Sequence, residues 1–181
     1  MTFYTKGKTR RIEFEYIPLT QENKDLLNDF SCGNDELDKA FRQDCINDTS
    51  SVTNLVVDKE NNKVICVYSL NCASIVGCNE GKHYPRSAVE IKYFAMNIDY
   101  QDIKSDDEDE GCLSSAILYD INAKIFLFTE NFCGAEFIFL YSTPEGEPFY
   151  RKCQFDDFPI EILRNNDPYL EGCIPLCLKI R

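Results

Sequence analysis

Ten cysteines and a single histidine, His83, are the residue types of this chain most often recruited for nucleophilic or metal chemistry. The cysteines stand at 32, 45, 66, 72, 78, 112, 133, 153, 173 and 177, with no C-x-x-C pair and most of them inside apolar stretches, which reads as buried free thiols. A zinc site needs closely paired thiolates or imidazoles, and Cys173 and Cys177 with His83 are the best set on offer, so no metal is expected. G-x-S-x-G is absent and His83 has no identifiable thiol partner, so covalent catalysis is not expected either. Five consecutive carboxylates, Asp106 to Glu110, lack the D-x-D-x-D-G order of a calcium loop and read as a solvated loop. The remaining oddity is Glu90 and Lys92, two residues apart in the otherwise apolar run Ala88 to Met96. On a strand they share a face with Phe94 and Met96, where they can pair with each other or across strands.

The chain has 181 residues, with 19 Lys+Arg against 31 Asp+Glu and a net charge of −12. The length suits one domain, or one plus a small appendage, and with no internal repeat or low-complexity linker apart from the acidic run the chain reads as a single domain spanning 1–181. So acidic a chain lacks the basic footprint of a general nucleic-acid binder and favours a small or cationic partner. Its longest apolar runs, such as Ile125 to Phe128 and Phe137 to Tyr141, fall far short of the roughly 20 residues of a membrane-spanning helix. The basic cluster Lys6, Lys8, Arg10 and Arg11 is followed by alternating Ile12, Glu13, Phe14, Glu15 and Tyr16 in place of an apolar signal core, so the expected location is cytoplasmic.

The elements that must position these residues follow from periodicity. Ile12 to Pro18 alternates as a strand, and Thr20 offers an N-cap to a short helix with Leu26, Leu27 and Phe30. Gly33-Asn34 caps a second helix bearing Leu37, Phe41 and Cys45. Thr53 to Asp58 and Lys63 to Ala73 form a hairpin across Lys59 to Asn62, and Ser87 to Ile98 is a further strand. Leu113, Ile117, Leu118, Ile121 and Ile125 mark a helix that starts at Gly111-Cys112 and stops by Gly134. Phe137 to Tyr141 is a buried strand, Pro144 to Cys153 a helix opened by proline, and Gln154 to Phe158 with Gly172 to Ile180 the last strands.

This order, with three blocks of residues, resembles the GNAT superfamily of acetyl-coenzyme A-dependent N-acetyltransferases. Phe30-Ser31-Cys32-Gly33-Asn34-Asp35-Glu36-Leu37-Asp38 resembles the F-x-C-G-x-x-x-L-D start of a bacterial branch that includes toxins. Glu90 to Met96 resembles the central cofactor-contacting strand, and Phe149-Tyr150-Arg151-Lys152-Cys153-Gln154-Phe155 the F-Y-x-K-x-G-F ending, with Gln154 in place of glycine. The resemblance implies an α/β (α+β) GNAT fold, a mixed and mostly antiparallel central sheet flanked by helices.

It also implies a cofactor site. Backbone groups of Phe94, Ala95 and Met96 would meet the pantetheine arm and thioester, although Phe94 and Met96 also read as plain core residues. The Q/R-x-x-G-x-G/A pyrophosphate loop begins at Gln101 and, after the acidic insertion, ends at Gly111, Cys112, Leu113, Ser114 and Ser115, small residues beside a helix start that can hold an anion. The glycines between are missing, and the carboxylates would oppose a polyanion unless turned away.

For direct attack of an amine on the thioester, the resemblance makes Tyr150 the acid that protonates the departing thiolate, and Glu90 the base, four residues before Phe94. A buried core tyrosine and the Glu90–Lys92 pair are the competing readings. Tyr141 and Ser142, with Thr143, end the strand expected to face the central one and would orient acceptor or water. His83 reads as a surface loop residue.

Three functions follow. The first is N-acetylation of a small-molecule or peptide amine, with acetyl-CoA as co-substrate. The second is a GNAT-fold binding module impaired in catalysis. The third is a toxin-like enzyme acting on aminoacyl-tRNA and neutralised by an antitoxin, the one setting in which this acidic chain would meet nucleic acid. Members often dimerise, so a homodimer is among the assemblies implied.

Overall fold

The computed structural model describes residues 2–4, 11–105, 111–162 and 170–180. The acidic run 106–110 and part of the basic N-terminal cluster lie outside them. Among the described residues eight strands and three α-helices succeed one another: β1 (Thr2–Tyr4), β2 (Arg11–Pro18), α1 (Asp35–Gln43), β3 (Val52–Asp58), β4 (Lys63–Asn79), β5 (Lys82–Met96), α2 (Leu113–Asn131), β6 (Phe137–Ser142), α3 (Glu147–Lys152), β7 (Glu161–Ile162) and β8 (Ile174–Lys179). Strands pair in the order β1-β2-β3-β4-β5-β6-β8, with β7 beside β4. β5 and β6 run parallel, whereas β1–β2, β2–β3, β3–β4, β4–β7 and β6–β8 are antiparallel.

The chain divides into two compact units, Met1–Leu70 with Tyr93–Leu118 and Asn71–Lys92 with Tyr119–Arg181. In the first, Ile12 and Phe14 alternate inward along β2 between exposed Arg11, Glu13 and Glu15. The β3–β4 hairpin pairs Val52–Asp58 with Lys63–Leu70, and the turn is closed by Asn62 at φ 53°. Leu55, Val57, Val64 and Val67 pack with Phe41 of α1, Leu27 and Phe30. The segment after Thr20 is a short 3₁₀ turn, Lys24–Leu27, preceded by Asn23; no helix is capped by Thr20. Asn34 does cap α1, its side chain accepting from the N–H groups of Glu36 and Leu37 at 3.1 Å each.

The second unit builds on β6. Its whole length pairs with β8, Phe137 to Ser142 against Lys179 to Ile174. Its parallel ladder with β5 covers Ala88–Glu90 against Phe137–Phe139. Ile75, Ala88, Phe137, Phe139 and Cys177 form the core here, with Phe158 against it. His83 lies on β5, which starts at Lys82 after a turn made by Glu80 and Gly81, both at positive φ, and is exposed. The proline that opens α3 is Pro148, since Pro144 precedes the helix in a turn. Gln154 to Phe158 is no strand; it carries one bridge, Asp156 to Cys177. No helix among the described residues is long and apolar enough to cross a membrane.

Candidate functional site

The residues expected to meet the cofactor all belong to the first unit, and those expected to act on protons to the second.

In the first unit β5 ends at Met96, with Ala95 and Met96 buried and Phe94 half-buried. The Gln101 amide donates to the carbonyls of Met96 and Cys32, both at 3.1 Å, so it ties the strand end to the segment before α1. The insertion closes at its base: Ser105 N–H donates to Gly111 O at 2.9 Å and Leu113 N–H to Ile103 O at 2.8 Å. That brings the two ends of the expected pyrophosphate loop side by side.

The start of α2 is built as a reciprocal cap. Cys112 is the N-cap, its carbonyl accepting from Ala116 N–H at 3.0 Å. Its sulfur lies 3.1 Å from Ser114 Oγ and donates to Ser115 Oγ at 3.4 Å, and it faces the backbone N–H groups of both serines. Ser115 Oγ accepts from Cys112 N–H at 3.1 Å and donates to Cys112 O at 2.7 Å, the reaching-back half of a capping box made by a serine. Gly111, at φ 74°, precedes it; a Cβ there would lie 3.0 Å from Ser115 Oγ, so the box needs glycine. Burial alone would raise the Cys112 thiol, but the hydrogen bonds from Ser114 and Ser115 outweigh it and draw the thiol below the usual range. These residues therefore fit an anion by exchange: the N–H groups a phosphate would take are those now facing sulfur, a much weaker acceptor.

In the second unit Glu90 sits at the last pair of the β5–β6 ladder, opposite Phe139, and is half-buried. Burial pushes its carboxyl up, with the Asn71 amide, 3.3 Å from Oε2, and the Lys92 charge partly opposing. Asn71 is a partner that local sequence did not point to. Tyr141 is half-buried on β6 with its ring edge-on to Phe139 at 5.9 Å. Ser142 is buried and donates to Thr143 O at 2.8 Å.

The chain then turns through Gly146 into α3. Gly146 lacks the Cβ that would lie 3.0 Å from Ser142 Oγ and 3.5 Å from the Tyr150 ring, so serine and tyrosine approach one small spot. Tyr150 is half-buried. Its helix ends in a Schellman motif: Phe155 N–H donates to Tyr150 O and Gln154 N–H to Arg151 O, both at 3.1 Å. Gln154 takes the left-handed conformation there, φ 71°, which explains why the resembled pattern has glycine at this place. The Tyr150 ring packs edge-on to Phe149 at 5.1 Å and to Phe155 at 6.0 Å.

The ten cysteines are free thiols, but only Cys45, Cys66, Cys153 and Cys177 are buried; Cys72 is exposed and the rest half-buried. Among the described residues no cluster of His, Cys, Asp or Glu is placed to hold a metal ion. A cleft of about 400 Å³ lined by Gly77, Tyr84, Arg86, Ile160 and Glu161 contains none of the candidate residues.

No protein-family model matches the chain, and no curated protein matches its sequence. Solved structures do match it. A bacterial toxin is 15% identical with a TM-score of 0.69, over 93% of this chain and 92% of that one. AtaT complexed with acetyl-methionyl-tRNAfMet is 12% identical with a TM-score of 0.68, over 92% and 95%. AtaTR bound with acetyl-CoA is 14% identical with a TM-score of 0.63, over 93% and 94%. At these identities the likeness establishes the fold, the GNAT fold, with its mixed and mostly antiparallel sheet.

Proposed function

We propose that the chain is a cytoplasmic N-acetyltransferase, one GNAT domain over 1–181, in which an amine attacks acetyl-CoA directly. The observation that supports it is the arrangement where the β5–β6 ladder ends. The ladder stops at Glu90, whose carboxyl is raised by burial, and β6 runs on through Ser142 into the helix that carries Tyr150. Acetyl-CoA as co-substrate supplies an activated acyl group and a thiolate leaving group. Glu90 takes the proton the amine loses as its nitrogen bonds the acyl carbon; Tyr150 gives a proton to sulfur as the carbon–sulfur bond breaks. A phenol of pKa about 10 is matched to a thiol near 8.5. Phe94, Ala95 and Met96, with Gln101 and Gly111 to Ser115, would hold the co-substrate, and Tyr141 and Ser142 would orient the acceptor. In the family pattern the ring of Tyr150 is what the F-Y pair delivers.

The solved neighbours favour aminoacyl-tRNA as a second reading of the acceptor, with an antitoxin as partner, because AtaT is seen with acetyl-methionyl-tRNAfMet and with the C-terminus of the antitoxin AtaR. The net charge of −12 weighs toward a cationic amine instead. The test is calorimetric titration of acetyl-CoA, then radiolabelled acetyl transfer to charged methionyl-tRNA, a polyamine, an aminoglycoside and a lysine peptide. Binding lost in Gly111→Glu and turnover lost in Tyr150→Phe are expected. No binding at millimolar acetyl-CoA overturns the enzyme and leaves a binding module.

A further inference from the structure

We infer that Arg151 is a positioning residue for Tyr150, an inference that rests on the acetyltransferase reading above. α3 is six residues long, too short to hold its own conformation in water. Its C-terminal end is tied by the Tyr119 hydroxyl, which donates to Lys152 O at 3.3 Å, and by the Arg151 side chain, which makes three bonds. The Arg151 guanidinium donates Nε to Glu147 Oε1 at 2.7 Å, one turn back on the helix, Nη1 to Asp156 Oδ1 at 2.9 Å, and Nη2 to Asp157 Oδ1 at 2.8 Å. Three carboxylates are thus gathered by one planar fork, a task that lysine, with a point charge, cannot repeat.

What the fork grips is itself fixed. Asp156 exchanges two backbone hydrogen bonds with Cys177 of β8, 2.9 and 2.8 Å, and β8 pairs along its whole length with β6. β6 ends at Ser142, and the turn into α3 is closed by Gly146 and Glu147 N–H donating to Thr143 O. The circuit β6, turn, α3, Arg151, Asp156, β8 and back to β6 encloses Tyr150. Next to Asp156 in the chain is Phe155, which caps the helix through Tyr150 O and packs against the phenol ring. Without Arg151, Asp156, Asp157 and Glu147 would repel one another, and the segment bearing Phe155 would lose its tie to α3. Because Asp156 and Asp157 are largely exposed, the ion pairs do little for stability, and their removal leaves the fold standing. Their effect is on where the phenol sits, to which transfer rates are steeply sensitive.

The test compares Arg151→Ala, Arg151→Lys and the double variant Asp156→Asn with Asp157→Asn against the parent chain. Turnover uses acetyl-CoA with the acceptor found in the panel above, and a second measurement needs no activity: the ¹⁹F resonance of 3-fluorotyrosine placed at position 150. Expected are an unchanged acetyl-CoA dissociation constant by calorimetry, a fall in kcat of about tenfold or more in Arg151→Ala, partial recovery in Arg151→Lys, and a shifted or broadened ¹⁹F line in Arg151→Ala and the double variant. A wild-type ¹⁹F line in Arg151→Ala overturns the inference, as does wild-type kcat there while Tyr150→Phe is inactive. Wild-type kcat in Tyr150→Phe overturns the role given to Tyr150 instead, and the ¹⁹F line then decides positioning alone.

Discussion

Removing the Cys112 side chain should weaken the protein and tighten its grip on acetyl-CoA at once. In the free chain the sulfur faces the Ser114 and Ser115 N–H groups at the start of α2, with Ser114 Oγ 3.1 Å away, while Cys112 N–H donates to Ser115 Oγ at 3.1 Å. Replacing an N-cap side chain by alanine costs about 0.5–2 kcal/mol, and a sulfur acceptor belongs near the middle or below, so Cys112→Ala should lower unfolding free energy by about 1 kcal/mol. If a pyrophosphate takes those same N–H groups, the thiol is displaced in the complex and its loss costs nothing there. The two legs of the cycle then differ by that same 1 kcal/mol, which makes acetyl-CoA bind roughly fivefold more tightly to Cys112→Ala. Cys112→Ser, with a stronger acceptor, should do the opposite on both counts.

Urea denaturation of the free protein measures the first leg and isothermal calorimetry the second. S-acetylpantetheine, which has no pyrophosphate, is the control, and its affinity should not change. A thiol drawn below its usual range also adds a competing charge as pH rises through its titration, so acetyl-CoA affinity of the parent chain should fall over that interval while that of Cys112→Ala does not. The reasoning is refuted if stability and affinity move in the same direction across Ala, Cys and Ser, or if S-acetylpantetheine responds as acetyl-CoA does.

Three further outcomes follow from other sites. Gln154→Gly relieves a left-handed residue at the end of α3; against a strain of about 1–2 kcal/mol stands the larger chain entropy of glycine, so a gain of about 0.5–1 kcal/mol is expected in chemical denaturation. Asn122 on α2 is 3% exposed and neither its amide nitrogen nor its oxygen has a hydrogen-bond partner among the described residues, so Asn122→Leu should raise unfolding free energy by about 1–2 kcal/mol, and a loss would show that the amide is satisfied by ordered water. Burial raises the Asp58 carboxyl, but hydrogen bonds from Asn61, Glu60 N–H and Tyr100 outweigh it and hold its pKa below the usual value. With the folded value below the unfolded one, near 3.9, its contribution is complete above that pH and is lost as pH falls through the folded value; Asp58→Asn should flatten that part of the acid limb in pH-dependent denaturation.

Which of these features could be read from the chain depends on whether the cause was local. Alternation along Ile12 to Tyr16, the turn residues of the β3–β4 hairpin, the Asn34 cap and the apolar repeat of α2 each act within a few residues, and each forms as expected. β1 and β7, three and two residues long, exist only through their partners and have no periodicity to read. The end of α3 was hidden for a different reason: the Schellman motif is usually announced by glycine, and with Gln154 in its place the residues beyond looked like a strand. The Cys112 cap was hidden because the pattern is S/T-x-x-E/Q, whereas in C-L-S-S the residue that reaches back to the first N–H is a serine. Glu90 was visible as an oddity, but its environment comes from Asn71, nineteen residues earlier and brought close by strand pairing.

The Phe30 to Asp38 block carries a lesson of another kind, because most of its polar groups, the exposed carboxylates of Asp35 and Glu36 apart, are spent within the chain. Asp38, 4% exposed, accepts from Cys32 N–H at 2.9 Å; Ser31 Oγ accepts from Gly33 N–H at 3.2 Å; Asn34 caps α1; and Arg42 reaches back to the carbonyls of Leu27 and Phe30. Gly33, at φ 86°, makes the turn these bonds require. A motif whose donors and acceptors face one another specifies how a helix is entered and leaves little with which to recognise an acceptor. Its resemblance to the start of toxin sequences is therefore a resemblance of fold, and the aminoacyl-tRNA reading has to stand on acceptor chemistry. On the proposed reading the block that would bear on that chemistry is Glu90 to Met96, through the Glu90 carboxyl, whereas Phe149 to Phe155, held by the helix cap and the Phe155 ring, would set Tyr150 on the side of the departing thiolate.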